Sequence, residues 1–296
     1  MQEKLLQRFL RYVAVPSQSN AANANVPSSE GQRKLAELLK QDLAELGLVD
    51  LEISEYSVLT GKLPAYLPEG CTKEVPAVGW CAHLDTIDIN MSPEIHPQVV
   101  KNYQGGDVCL NKEKDIWIRT AEHPELEKYV GEDIVFTDGT SVLGADNKAA
   151  IANIMVALET IVNEKRCHGD IYIAFVPDEE IGLRGSKKMD FSKFPVKFAY
   201  TIDCCELGEV VYQTFNAGTA IVKIKGVSAH PMSAKGVLIN PTLLAVDLVN
   251  MFDRTQTPEC TEGTEGYIWV KSIVSNDTYA TVTLDIRDHN KKRYEE

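Results

Sequence analysis

Residues 171–182 read IYIAFVPDEEIG. Six consecutive apolar residues, 171–176, suit a strand buried in a sheet. After Pro177 come three acids side by side, Asp178, Glu179 and Glu180. Taken alone, they read as the first turn of a helix, where proline is a good first residue and the dipole favours negative charge. Like charges at the mouth of a buried strand also admit a second reading, a shared cation. That reading gains weight if other ligand-type residues stand at neighbouring strand ends.

They do. A strand over 75–82 ends in His83-Leu84-Asp85, and a strand over 197–202 ends in Asp203. Asp146 sits between a hairpin predicted over 133–145, turned at Asp138-Gly139, and a helix predicted over 148–162. In open α/β sheets ligands bind beyond the carboxyl ends of the strands. One imidazole among carboxylates, with no thiolate, suits zinc, cobalt or manganese. Two such ions bridged by one carboxylate would neutralise the acids and activate a shared water. His83 and Asp85, two apart on an extended segment, face the same way, so Asp85 can hold the imidazole tautomer. His96, His123 and His168 lack such company and read as surface histidines.

Outward from these strands, residues 1–13 carry helical apolar spacing. A second helix starts near Ser29 and Gln32, a capping-box pair, with a stripe at Leu35, Leu38, Leu39, Leu43 and Leu46 and a stop at Gly47. Residues 51–59 read as a strand, and 87–130 are irregular. Together these predict an α/β sandwich with a mainly parallel sheet. After Phe215 the texture changes: 219–225 and 280–286 alternate and 241–252 is amphipathic, which predicts a separate α+β unit with one solvated sheet face. The predicted domains are 1–213 and 214–296.

The chain has 296 residues, 44% of them apolar, and a net charge of −13. That charge repels phosphate and argues against a nucleic-acid partner, while it suits a site that concentrates cations. No apolar run reaches the ~18 residues of a membrane span, and the N-terminus lacks the layout of a signal peptide. Seven cysteines without a CxxC support neither a disulfide framework nor a thiolate zinc site, and indicate a reducing cytoplasm.

In order along the chain, AHLDT (82–86), LGADNKAA (143–150), VPDEEIG (176–182), YTIDCCELGE (200–209) and VSAHPMSAKG (227–236) resemble the motifs of the di-zinc aminoacylase/carboxypeptidase superfamily. VPSSEGQRKL (26–35), NYQGGD (102–107), TDGTSVLGAD (137–146), TEGTEGY (261–267) and IRD (286–288) are similar to segments of its tripeptide-aminopeptidase branch, the peptidase T family. The resemblance implies a catalytic domain with an inserted lid and dimerisation domain. It implies two Zn2+, with Co2+ or Mn2+ as substitutes, and a homodimer acting on small peptides. His83 and Asp203 become terminal ligands on different ions, Asp146 the bridge, Glu180 a further ligand and Glu179 the general base and acid. Asp85 stands behind His83. His230 polarises the scissile carbonyl from across a dimer, and Asn216 and Arg287 hold the substrate backbone and its terminal carboxylate.

The sequence departs from the family in several places. The usual acidic pair at the bridge, joined by a cis peptide, is Asp146-Asn147, where Asn147 keeps a hydrogen bond without the charge. Cys204-Cys205 replace glycines and read as packing, and Met232 replaces another glycine. The lid is incomplete, and a C-terminal return segment with a last histidine ligand has no counterpart. The chain therefore reads as C-terminally truncated, with a weakened second metal site. The expected activity is tripeptide aminopeptidase. The alternatives are a related di-zinc dipeptidase or amidohydrolase, or an inactive peptide-binding remnant.

Overall fold

The structure, a computed structural model, describes residues 1–72, 74–203 and 207–296. The expected Cys204-Cys205 contacts lie outside the described residues. Two compact units divide the chain, Met1–Cys205 and Glu206–Glu296. The break expected at 213/214 falls inside the second of them.

In the first unit, α1 (Gln2–Val13) and α2 (Glu30–Glu45) lead into β1 (Val49–Ile53) and β2 (Leu59–Leu63). The single strand expected over 51–59 is therefore two, separated by a turn in which Ser57 adopts a positive φ of 61°. Next come β3 (Val78–His83), β4 (Pro97–Val100), β5 (Val108–Asn111), β6 (Ile116–Ile118) and β7 (Ile134–Thr137). The unit closes with α3 (Ala145–Asn163), β8 (Ile171–Val176) and β9 (Phe198–Thr201).

Five strands form the main sheet in the order β1-β2-β8-β3-β9. It is mixed: β1, β2 and β8 pair antiparallel, while β8, β3 and β9 pair parallel. The parallel half carries the residues of interest. In its register His83 lies opposite Val176, and Cys81 lies opposite Thr201. Asp203 follows two residues after Thr201, its Oδ1 3.6 Å from His83 Nε2, so the carboxyl ends of all three strands bring their acids and imidazole together.

The core explains why β8 is so apolar. Ile171, Ile173 and Phe175 point to one face and pack with Phe9, Tyr12, Leu35, Leu39, Ile151 and Met155 from the three helices. On the other face Tyr172 meets the Phe194 ring edge-on at 6.2 Å. Gly79 permits that close packing, since a Cβ there would stand 2.2 Å from the Phe194 ring.

The hairpin expected over 133–145 does not form. β7 pairs antiparallel with β4 instead, and Asp138 accepts from the Thr140 amide. The irregular stretch after residue 87 thus holds β4, the β5–β6 ladder and a small core of its own, Tyr103, Val108, Leu126 and Phe136.

The second unit contains β10 (Asn216–Lys225), α4 (Pro241–Asn250), β11 (Tyr267–Ser275), β12 (Tyr279–Asp288) and α5 (Lys291–Glu295). Its antiparallel sheet runs β10-β12-β11. Alternate residues Ala220, Val222 and Ile224 face a core with Ala245, Ala280, Val282 and Leu284. The opposite residues, among them Ile221, are exposed, as the alternation predicts. The Asn240 side chain caps α4 by accepting from the Thr242 and Leu243 amides. Among the described residues, no helix is long and apolar enough to cross a membrane.

Candidate metal centre

Where β8 ends, Asp178, Glu179 and Glu180 do not start a helix: the segment turns, with Asp178 at φ 56°. The three acids therefore have separate fates. Asp178 is fully buried, away from the others, and accepts from the Ser28 amide, the Ser28 hydroxyl and the Gln32 side-chain amide. Glu179 and Glu180 stay half-buried at the sheet edge.

His83 is the hub of that edge. Its Nε2 lies 2.8 Å from Asp146 Oδ1, 3.6 Å from Asp203 Oδ1 and 4.0 Å from Glu179 Oε2. Ligand atoms of His83, Asp146 and Asp203 all lie within 4.8 Å of one another, and so do those of His83, Glu179 and Glu180. The five residues expected to work together thus gather around His83 in the first unit, in two groups that share its imidazole.

Asp85 lies directly behind His83, carbonyl and carboxylate both facing its Nδ1. The Nδ1 of His83 is held at 3.0 Å by the main-chain carbonyl of Asp85, with the carboxylate further off at 3.4 Å. The carboxylate, fully buried, also accepts the Glu179 amide at 2.9 Å and the Glu180 amide at 3.2 Å. Asp85 therefore ties the loop after β8 to the loop after β3.

The charges are far from their solution behaviour. Burial alone would pull the His83 imidazole down, but the carboxylates of Asp146, Asp203 and Asp85 around it outweigh that and push it up to about 12. Burial, then the neighbouring charge of Asp146, pushes Glu180 up to about 7. Burial chiefly, with Asp203, Asp85 and Asp146 adding, raises Glu179. The hydrogen bond to His83 leads in lowering Asp146. Carboxylates gathered this closely about one imidazole favour added positive charge. One imidazole nitrogen and four carboxylates fit a divalent cation of the zinc, cobalt or manganese type.

At the N-terminal end of α3 the Asp146–Asn147 peptide is cis, and both residues depart from helical φ/ψ. The Nδ2 of Asn147 is buried without a hydrogen-bond partner among the described residues.

Lys148 follows, fully buried, with Nζ donating to the Val15 carbonyl at 2.7 Å. Burial pulls it down to about 7 from the ordinary 10.5. Between those values the unfolded chain binds more protons than the folded one, so this group makes stability rise with pH across that window. Metal-free Lys148→Met is therefore expected to exceed wild type by ~3 kcal/mol at neutral pH, roughly 4 from the shifted lysine less about 1 for the Val15 carbonyl left without its donor. It should lose that advantage near pH ~10. Urea unfolding of both chains at the two pH values checks this.

The remaining expected site residues belong to the second unit. Asn216 opens β10 and donates its Nδ2 to the Asp288 carbonyl. Arg287, exposed on β12, lies opposite Ala217, with its guanidinium 5.0 Å from the Phe215 ring. The neighbouring acids form salt bridges with other residues, Asp285 with Lys271 and Asp288 with Arg293. His230 is exposed, and its Nδ1 accepts from the Met232 amide at 3.2 Å.

The residues that sequence reasoning missed are Ser28 and Gln32, which clamp Asp178. A signal was present: Gln32 shares the stripe of Leu35, Leu39 and Leu43, a polar residue on a buried face.

Two family models match the chain, a peptidase dimerisation domain over residues 212–296 and an M42 glutamyl aminopeptidase over residues 119–239. The chain is 52% identical over 288 residues to a peptidase T-like protein of Rhizobium meliloti, covering 97% of this chain and 69% of that protein. It is 40% identical over 293 residues to peptidase T of Escherichia coli, covering 99% of this chain and 70% of that protein. Among solved structures it is similar to a tripeptidase from Staphylococcus aureus, with a TM-score of 0.71 and 21% identity over 100% of this chain and 68% of that one. It is also similar to the aminopeptidase PepT of Bacillus cereus, with a TM-score of 0.68 and 19% identity over 100% and 69% of the two chains. At those identities the structural likeness speaks for the fold.

Proposed function

The chain belongs to the peptidase T family, and on that premise we propose that it is a divalent-metal aminopeptidase that hydrolyses the N-terminal peptide bond of tripeptides. The observation that carries this reading is the meeting of His83, Asp146, Asp203, Glu179 and Glu180, with ligand atoms within 4.8 Å in each of two groups that share His83.

His83 and Asp203 would each hold one of two Zn2+, Asp146 would serve both, and Glu180 would complete the set, with Co2+ or Mn2+ as substitutes. With one imidazole in the two groups, the second ion is expected to bind more weakly. When bound, the ions supply Lewis-acid polarisation of the scissile carbonyl and of the attacking water. Glu179, its pKa raised chiefly by burial, is suited to take the proton from that water on its carboxylate and pass it to the leaving amine nitrogen. Asp85 keeps Glu179 and Glu180 in place through their amides. Arg287 would grip the substrate's terminal carboxylate with two parallel hydrogen bonds and so measure peptide length. Asn216 would hold the peptide backbone. His230 would stabilise the developing oxyanion, reaching the site from a partner through a homodimer built on the dimerisation-domain region. The compartment proposed is the cytoplasm.

A panel of di-, tri- and tetrapeptides tests the reading. The metal-loaded chain should release the N-terminal residue from tripeptides fastest, lose activity to a chelator and regain it with Zn2+, Co2+ or Mn2+. Faster cleavage of dipeptides would move the chain to a dipeptidase reading, and no cleavage of any peptide would overturn it.

A further inference from the structure

The acid that turns away from the cluster has its own geometry. Asp178 Oδ2 accepts the Ser28 amide at 2.8 Å, and Oδ1 accepts the Ser28 hydroxyl at 2.5 Å and Gln32 Nε2 at 2.7 Å. The Asp178 amide in turn donates to Gln32 Oε1 at 2.9 Å, so Gln32 grips both the side chain and the backbone. Ser28 Oγ also accepts the Asn20 amide at 2.8 Å, which fastens the partner loop. Every one of these groups except Asn20 is buried.

This clamp sits immediately before the two acids at the sheet edge. Asp178 holds a left-handed φ of 56°, a conformation that costs a non-glycine residue free energy and persists only when its surroundings enforce it. That turn sends the next two amides to the Asp85 carboxylate. The backbone of 178–180 is thus fixed from two sides, by Ser28 and Gln32 on one and by Asp85 on the other. Removing the first grip frees the turn to relax toward ordinary φ, which would swing Glu179 and Glu180 away from His83.

We propose that Asp178, clamped by Ser28 and Gln32, is a positioning residue that sets the orientation of Glu179 and Glu180 toward the metal hollow. The inference rests on the proposed metallopeptidase reading for its catalytic consequence, but its geometric content can be tested apart from turnover.

The test compares the Co2+-loaded full chain with its Asp178→Asn and Gln32→Met variants. In either orientation Asn sets an N–H against at least one donor that the carboxylate accepted, and Met fills the Gln32 space without either hydrogen bond. The visible d–d spectrum of Co2+ reports ligand geometry, and kcat and KM for a tripeptide report the base. Both variants should shift the Co2+ bands and lower kcat about 10–100-fold, with KM changing less than about two-fold. Asp178→Glu, which restores the charge, should recover part of the wild-type spectrum. Should Asp178→Asn fail to fold, Gln32→Met alone decides. Folded variants with the wild-type Co2+ spectrum would overturn the proposal whatever their activity. A wild-type chain that binds Co2+ but cleaves no peptide would overturn the functional reading and leave the spectral comparison to decide the positioning role.

Discussion

Glu179→Gln is expected to lower tripeptide turnover about 10²–10⁴-fold, the usual contribution of a positioned general acid–base. The amide has the shape of the carboxylate but cannot accept the proton of the attacking water. The contact that anchors residue 179 is its main-chain amide on Asp85, which the substitution leaves untouched. Geometry should therefore persist while the chemistry stops, so kcat falls with little change in KM and the chain still binds metal. Initial rates beside a metal analysis of the same preparation check this. A variant that keeps both its metal and its wild-type rate would assign the proton transfer to another group.

The second large effect is expected from His83→Ala. The imidazole is the shared member of both candidate ligand groups, so its loss should weaken metal binding by more than about 100-fold, beyond the usual effect of disturbing a residue behind a ligand. Binding to the native state stabilises it by mass action. At a metal concentration ~100 times the wild-type Kd, the wild type gains ~2.7 kcal/mol. A variant bound ~100-fold more weakly would gain only ~0.4 kcal/mol. Thermal melts with and without Zn2+ should show a clear upward shift for wild type and almost none for His83→Ala. An equal shift in both would place the tightly bound ion elsewhere.

Much of the candidate site was legible because a parallel ladder makes strand ends informative. His83, Asp203 and the acids after Val176 follow strands whose apolar runs are plain in the sequence, and hydrogen-bond register then levels them. Asp146 was legible from its motif. Other features depended on partners that periodicity does not reveal. The acids at 178–180 have the composition of a helix start, yet Asp178 finds better partners in Ser28 and Gln32 than a helix would give it. Asp138-Gly139 has the residues of a tight hairpin, but β7 is taken by β4, a strand from 34 or more residues earlier in the chain. The Asp85 side chain also accepts two amides from the loop after β8, and its carbonyl comes closer still to His83, contacts that no spacing in the sequence announces. β11 went unread since its ladder with β12 contains an irregularity between Val270 and Ser272 that breaks simple alternation.

The level register of β8, β3 and β9 works as a ruler whose divisions are main-chain hydrogen bonds. The approach of His83 to Asp203 follows from a ladder that pairs Cys81 with Thr201 just before them, rather than from the length of chain joining them. Lengthening or shortening the excursion that carries β5 and β6, which has its own small core, should leave that spacing unchanged. This part of the molecule is open to insertion and exchange while the distance between those two side chains stays the same.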